Sequence, residues 1–292
     1  MNIAAKTIRC RPPDGIDGRN ICVAVLDTGL CPVKDFSLPP NRIVCFKDFV
    51  NGKSQIYDDN GHGTHVSGCL GSCGIMSGGL YRGVAPSCSI AVLKILDESG
   101  SGTAGWTYDA VNWLLANHQK YNIRIVNMSV GSSDKSISRQ LSASAAALWE
   151  KGMVVCAAAG NNDPYGITSP GINSSVITVG SWEDKKMYRL KYNRKIYLKP
   201  DIFAPGRDIV SCMADDFSFD GSRRKKDNIV GGYYVKMSGS SMATPMVSGA
   251  AALLLQYNPS LTPNQVKEIM VGASFKNQNQ RLLNVEEMFK MA

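Results

Sequence analysis

Short apolar runs that alternate with helix-period stretches constrain this chain more than any other feature. Ile21–Asp27, Arg42–Phe49, Ser89–Leu96, Ile123–Met128, Met153–Ala158 and Ser175–Gly180 read as strands. Several are apolar almost without a break, the pattern of strands covered on both faces. Helical stretches fall at 62–73, 104–120, 136–151 and 241–257. In the second, Trp106, Ala110, Trp113, Leu114 and Asn117 recur at helical spacing. Alternating strands and helices require right-handed crossovers. The expected fold is therefore α/β: a three-layer, doubly wound, mostly parallel sheet with helices on both faces. A last helical pair, about 262–272 and 284–291, is expected on the outside. No repeat or Gly/Ser linker divides the chain, so 1–292 reads as one domain with 1–17 as an N-terminal extension.

Composition supports a folded chain. Of 292 residues, 44% are hydrophobic and 19% charged, which excludes overall disorder and leaves ample core. The longest apolar run, Ala250–Leu255, falls far short of the ~20 residues of a membrane helix. The first residues, MNIAAKTIRCRPP, lack the apolar centre of a signal peptide. Nine cysteines form no Cys-x-x-Cys pair, and Cys22, Cys45 and Cys156 sit inside apolar runs. They read as small buried hydrophobes in a reducing compartment, so a cytoplasmic location is expected.

In open α/β sheets, ligands bind beyond the carboxyl ends of the strands. Three polar elements stand at such ends: Asp27, Ser129-Val130-Gly131 and Gly160-Asn161. Only three histidines exist. His118 ends a polar helix and reads as a surface group. His62 and His65 lie in Asp58-Asp59-Asn60-Gly61-His62-Gly63-Thr64-His65, where the glycines let the backbone turn around His62. His65 is expected to pack beneath it. Two histidines three apart can ligate a metal, but the intervening Glu of metalloprotease helices is missing. A third segment, Ser238-Gly239-Ser240-Ser241-Met242-Ala243-Thr244-Pro245, precedes a small-residue helix. A hydroxyl there is an N-cap, or a nucleophile in the field of the helix terminus.

In the order Asp27, His62, Ser241, these segments resemble the subtilisin-like serine proteases (subtilases), from about Gly18 to Leu283. The resemblance implies a serine endopeptidase in which Ser241 is the nucleophile, His62 the general base and Asp27 the orienting carboxylate. It implies Asn161 as the oxyanion-hole side chain. Ser99, Gly100, Ser101 and Gly102, with Ser129, Val130 and Gly131, match the two backbone edges that clamp an extended peptide. A primary pocket is expected between Ser129–Gly131, Ala157–Gly160 (with Ala159 and Gly160 among the substrate contacts) and the Thr168–Gly171 turn. Its small, uncharged lining favours apolar or aromatic side chains before the cut, with Asn162 and Asp163 at the rim. Ala104 stands where many members have an aromatic residue, so the pocket upstream is expected to be roomy.

The chain departs from the family in several places. Residues 187–199 alternate Tyr188, Leu190 and Tyr192 with Arg189 and Lys191, a basic β-hairpin turning near Asn193. A second basic insertion, 215–231, contains Ser222-Arg223-Arg224-Lys225-Lys226. Solvated loops account for both, so no nucleic acid or membrane partner is expected, only polypeptide substrates. The calcium loop of secreted members is replaced by Gly74–Gly83, without carboxylate or Asn. Asp35 matches one calcium ligand by position but reads as a surface charge. No cofactor, no metal and no strong calcium site are expected. The short N-terminal stretch before Asp27 points to an intracellular branch, or to a secreted mature domain lacking its pro-region. Two other readings share the scaffold: a pseudoprotease that binds partners, and an esterase using the same triad.

Overall fold

The structure is a computed structural model of the chain. It describes residues 1–38, 40–161, 166–184, 186–192, 195–214, 226–277 and 279–292. Asn162, Asp163, the hairpin turn at Asn193 and the cluster Ser222–Lys225 lie outside the described residues.

The strands, in chain order, are β1 (Cys22–Asp27), β2 (Ile43–Asp48), β3 (Ser89–Lys94), β4 (Ile123–Met128), β5 (Val154–Ala158) and β6 (Ile177–Ser181). There follow β7 (Tyr188–Tyr192), β8 (Lys195–Lys199), β9 (Ile202–Ala204), β10 (Ile209–Cys212), β11 (Ile229–Val230), β12 (Tyr234–Met237), β13 (Phe275–Asn277) and β14 (Gln280–Leu282). The main sheet runs β13-β14-β9-β6-β5-β4-β1-β3-β2, parallel throughout except where β13 meets β14. Every residue of β1, β5 and β6 is buried, as their unbroken apolar runs predict. The hairpin of β7 and β8 forms as read from sequence, with Arg189 opposite Leu198 and Lys191 opposite Ile196. The described end of the 215–231 insertion pairs as β11 with β12, and β12 pairs with β10.

The helices are α1 (Asn2–Thr7), α2 (Lys34–Ser37), α3 (His62–Gly71), α4 (Ala104–Asn117), α5 (Lys135–Glu150), α6 (Ser240–Tyr257), α7 (Pro263–Gly272) and α8 (Val285–Met291). Helix α6 lies across β4, β5, β6 and β9, and packs on α3. Helices α4 and α5 pack together, with α5 on β5. The small residues of α6 permit the close α3–α6 approach: a Cβ on Gly249 would stand 3.1 Å from the Leu70 carbonyl oxygen. Side-chain caps set the starts of α4 and α5, Thr103 accepting from Trp106 N and Asp134 from Ser136 N and Ile137 N, and Thr262 and Asn284 cap α7 and α8 in the same way.

The 1–17 segment is built into the body of the protein. Met1, Ala4 and Ile8 are buried, and the Met1 ammonium donates to Val210 O at 2.8 Å. All nine cysteines are free thiols. Among the described residues, no helix is long and apolar enough to cross a membrane.

Candidate active site

Strands β1, β4 and β5 are neighbours in the sheet, so their carboxyl ends bring Asp27, the Ser129–Gly131 segment and Gly160-Asn161 to one edge. His62 is the first residue of α3, reached through Gly61 at φ +95°. A Cβ on Gly63 would collide with the Gly29 carbonyl and stand 3.2 Å from Asp27 Cβ. Only glycine there lets the start of α3 settle on the end of β1. His62 Nδ1 then lies 2.7 Å from Asp27 Oδ1. A carboxylate only accepts, so Nδ1 carries the proton and Nε2 is left to accept one. Asp27 is buried, whereas the His62 side chain keeps 22% of its surface exposed.

The turn before α3 is organised by Asp58, a residue the sequence reading passed over. Its carboxylate accepts from Thr28 Oγ1 at 2.8 Å, Gly61 N at 2.8 Å, Thr64 N at 2.9 Å and Thr64 Oγ1 at 2.6 Å. Thr28 Oγ1 in turn accepts from Gly63 N at 2.9 Å. The signal for this clamp is present in the chain: an Asp four residues before a glycine-flanked His, at the start of a helix.

Ser241 sits in the first turn of α6, half-buried. Its Oγ donates to Ser129 O at 3.1 Å, and Ser129 Oγ donates to Ser241 O at 2.9 Å. The second bond has a local cause. Pro245 has no N–H to give the carbonyl four residues earlier, and Ser129 takes its place. Asn161 Oδ1 accepts from Ser240 N at 2.7 Å. Gly239, at φ +145°, passes close beneath, where a Cβ would stand 2.8 Å from Asn161 Nδ2.

A cleft of about 510 Å³ opens beside His62. Ser99, Gly100, Ser101 and Gly102 line one side, and Ser129, Val130 and Gly131 the other. Ile137, Leu141 and Thr107 also line it, and Ala104 is not among the lining residues. Ala159 and Gly160 face a separate small recess with Gly166, Ile167 and Tyr188. Between Gly131 and Gly160 stands the Thr168 side chain: a Cβ on Gly160 would lie 2.8 Å from its Oγ1.

The profile of the Subtilase family matches residues 18–286. The chain belongs to the subtilase family. It is 38% identical to "Serine protease AprX" of Bacillus subtilis (strain 168) over 288 residues, covering 89% of this chain and 62% of that protein. It therefore spans less than two thirds of AprX. "Subtilisin DY" of Bacillus licheniformis is 32% identical over 282 residues, covering 93% and 92% of the two chains. The solved structure titled "Crystal structure of a cold adapted subtilisin-like serine proteinase" superposes with a TM-score of 0.71 at 30% identity. It covers 93% of this chain and 90% of that one.

The calcium ligand position of subtilases does not fit a cation in this chain. Asp35 is buried, not a surface charge as its sequence setting predicts. Its Oδ2 accepts from Ser72 Oγ at 2.6 Å, Tyr234 OH at 2.8 Å and Cys212 Sγ at 3.3 Å, and its Oδ1 from Met76 N at 3.1 Å. Four protein donors, three of them on Oδ2, thus compensate this buried carboxylate. These donors stand 37, 41, 177 and 199 positions from Asp35, outside its neighbourhood in sequence. His65 is buried as expected beneath His62, and among the described residues no His, Cys, Asp and Glu cluster forms a metal cage.

Proposed function

We propose that this subtilase chain is a serine endopeptidase acting through Ser241, His62 and Asp27. Ser241 Oγ turns from Ser129 O, gives its proton to His62 Nε2 and attacks the scissile carbonyl. The oxyanion takes hydrogen bonds from the Ser241 N–H and from the Asn161 amide. His62 then protonates the leaving amine, and water activated by the same imidazole frees the acyl group from Ser241. Asp27 holds the imidazole with Nε2 toward the nucleophile and offsets the charge it gains. The observation that carries this reading is the 2.7 Å contact of His62 with a buried Asp27 at the mouth of a two-edged cleft.

Two backbone edges, Ser99–Gly102 and Ser129–Gly131, favour an extended polypeptide over a small ester. Apolar side chains are favoured before the cut because the expected primary pocket is lined by Gly131, Gly160 and Thr168. We assign residues 1–292 to one catalytic domain that needs no cofactor and no strong calcium site. Nine free thiols favour a reducing, cytoplasmic setting. Polypeptides are its partners; neither nucleic acid nor a membrane is part of this reading.

Ser241→Ala tests it. Peptide hydrolysis and labelling by a fluorophosphonate should both vanish while the fold persists. A wild-type chain that binds peptide but takes no label would support the pseudoprotease instead.

A further inference from the structure

Lys94 is the last residue of β3 and the register partner of Asp27 on β1. Its side chain is 0% exposed. A buried ammonium is costly unless its protons all find acceptors. Here Nζ donates to Asp59 Oδ1 at 2.6 Å, Thr28 O at 2.7 Å and Leu96 O at 2.8 Å. The Tyr57 ring lies 5.1 Å away.

Each acceptor belongs to a different working part. Thr28 follows Asp27. Asp59 sits in the turn that delivers His62. Leu96 starts the loop that carries Ser99–Gly102, and it pairs with Gly102 across that loop. A second link runs the same way, from Asn60 Nδ2 to Glu98 O at 2.9 Å. A methionine or leucine would fill the same volume without burying a charge. It would leave three segments untied.

We propose that Lys94 is a positioning residue: its ammonium holds the acid turn, the base turn and one peptide-clamping edge in a single register. This role rests on the endopeptidase reading. Lys94 touches no substrate. The charged and titratable groups set against it are Asp27 on β1, Asp48 on β2, Asp97 on the loop, and Tyr57 and Asp59 on the turn.

The test uses Lys94→Met, Asp59→Asn and the double variant of the full chain. Lys94→Met should lower kcat/KM on a peptide amide by on the order of ten- to a hundredfold, the scale of a sub-ångström to ångström misplacement. Removing the cation favours imidazolium, so the acid limb of the pH profile moves to higher pH in Lys94→Met. Removing the anion moves it to lower pH in Asp59→Asn, and the double variant returns toward wild type. A folded Lys94→Met with lowered Tm but wild-type kcat/KM and acid limb would overturn the role. If Lys94→Met does not fold, Asp59→Asn decides: an unchanged acid limb and kcat/KM overturn it. A wild-type chain that neither cleaves peptide nor takes the fluorophosphonate removes the endopeptidase reading, and this role with it. Active wild type with unmoved variants removes this role alone.

Discussion

Asn161 and Ser240 are joined by a 2.7 Å hydrogen bond in which the Ser240 N–H donates to Asn161 Oδ1. The bond uses the oxygen of the side-chain amide and leaves its NH2, which lies against Gly239, for the oxyanion of the proposed mechanism. Asn161→Ala should lower kcat by about 10²–10³-fold with a smaller change in KM. Asn161→Asp keeps the acceptor for Ser240 but sets a carboxylate beside the oxyanion, and should lose at least as much. Steady-state kinetics on a peptide amide measure both. An Asp variant near wild-type kcat would show that only the Ser240 anchor matters.

Thr168 narrows the space between Gly131 and Gly160. A Cβ on Gly131 would stand 3.0 Å from Thr168 Cβ, and one on Gly160 would stand 2.9 Å from its Cγ2. Thr168→Gly should therefore deepen the primary pocket. The kcat/KM for Phe before the cut, relative to Ala, should rise about tenfold or more. A ratio equal to wild type would put the pocket elsewhere.

The Asp35 cluster ties stability to protein donors on a buried carboxylate. Ser72→Ala and Tyr234→Phe each remove one donor from a buried carboxylate, at about 1–3 kcal/mol. Chelation by EDTA should leave the wild-type Tm unchanged, since the acceptor sites of Asp35 are already taken. A Tm that falls on chelation and recovers with calcium would refute this assignment. Thermal melts with and without EDTA give the answer.

His65 makes the fold acid-labile. Its Nε2 faces Ile209 O at 2.9 Å and Val235 O at 3.1 Å, both acceptors, so Nε2 carries the proton of a neutral ring. Burial pushes its pKa down to about 3, against an ordinary value of 6.5. Between those limits the unfolded chain binds a proton that the folded chain does not. Stability attributable to His65 is thus intact above about pH 6.5 and is lost progressively as pH drops from there toward 3. His65→Gln should flatten the fall of Tm between pH 6 and 4. An identical slope in the variant would assign the acid lability to other groups.

Much of the sheet was legible because its signal is local. A strand buried on both faces must be apolar at nearly every position, and β1 and β5 are. The strands at the β13 end of the sheet were less so: β9, β13 and β14 have three residues each, too short for any period to register. Helix α3 stops at Gly71 rather than at 73, where Ser72 leaves the helical region at ψ 134°. Within residues 1–17, Met1, Ala4 and Ile8 are buried, and the backbone ties of Met1 and Ile8 run to Val210 and Val285, far along the chain, where no local pattern shows them.

For the site, the residues themselves were readable as types in place: a carboxylate ending a strand, a histidine between glycines, a serine opening a small-residue helix. Chain chemistry within a few residues determines such features, so the sequence alone carries them. Which of these groups touch was decided only by the tertiary structure. The His62–Asp27 contact spans 35 positions, the Ser129–Ser241 pair 112 and the Tyr234–Asp35 bond 199. Parallel-sheet register and the seating of α3 and α6 set those distances, and both arise from burial summed over the whole core. Lys94 shows the division most plainly. In sequence it is one cation at the end of an apolar run. In the fold it is enclosed, and its three acceptors come from three segments that only the assembled sheet brings together.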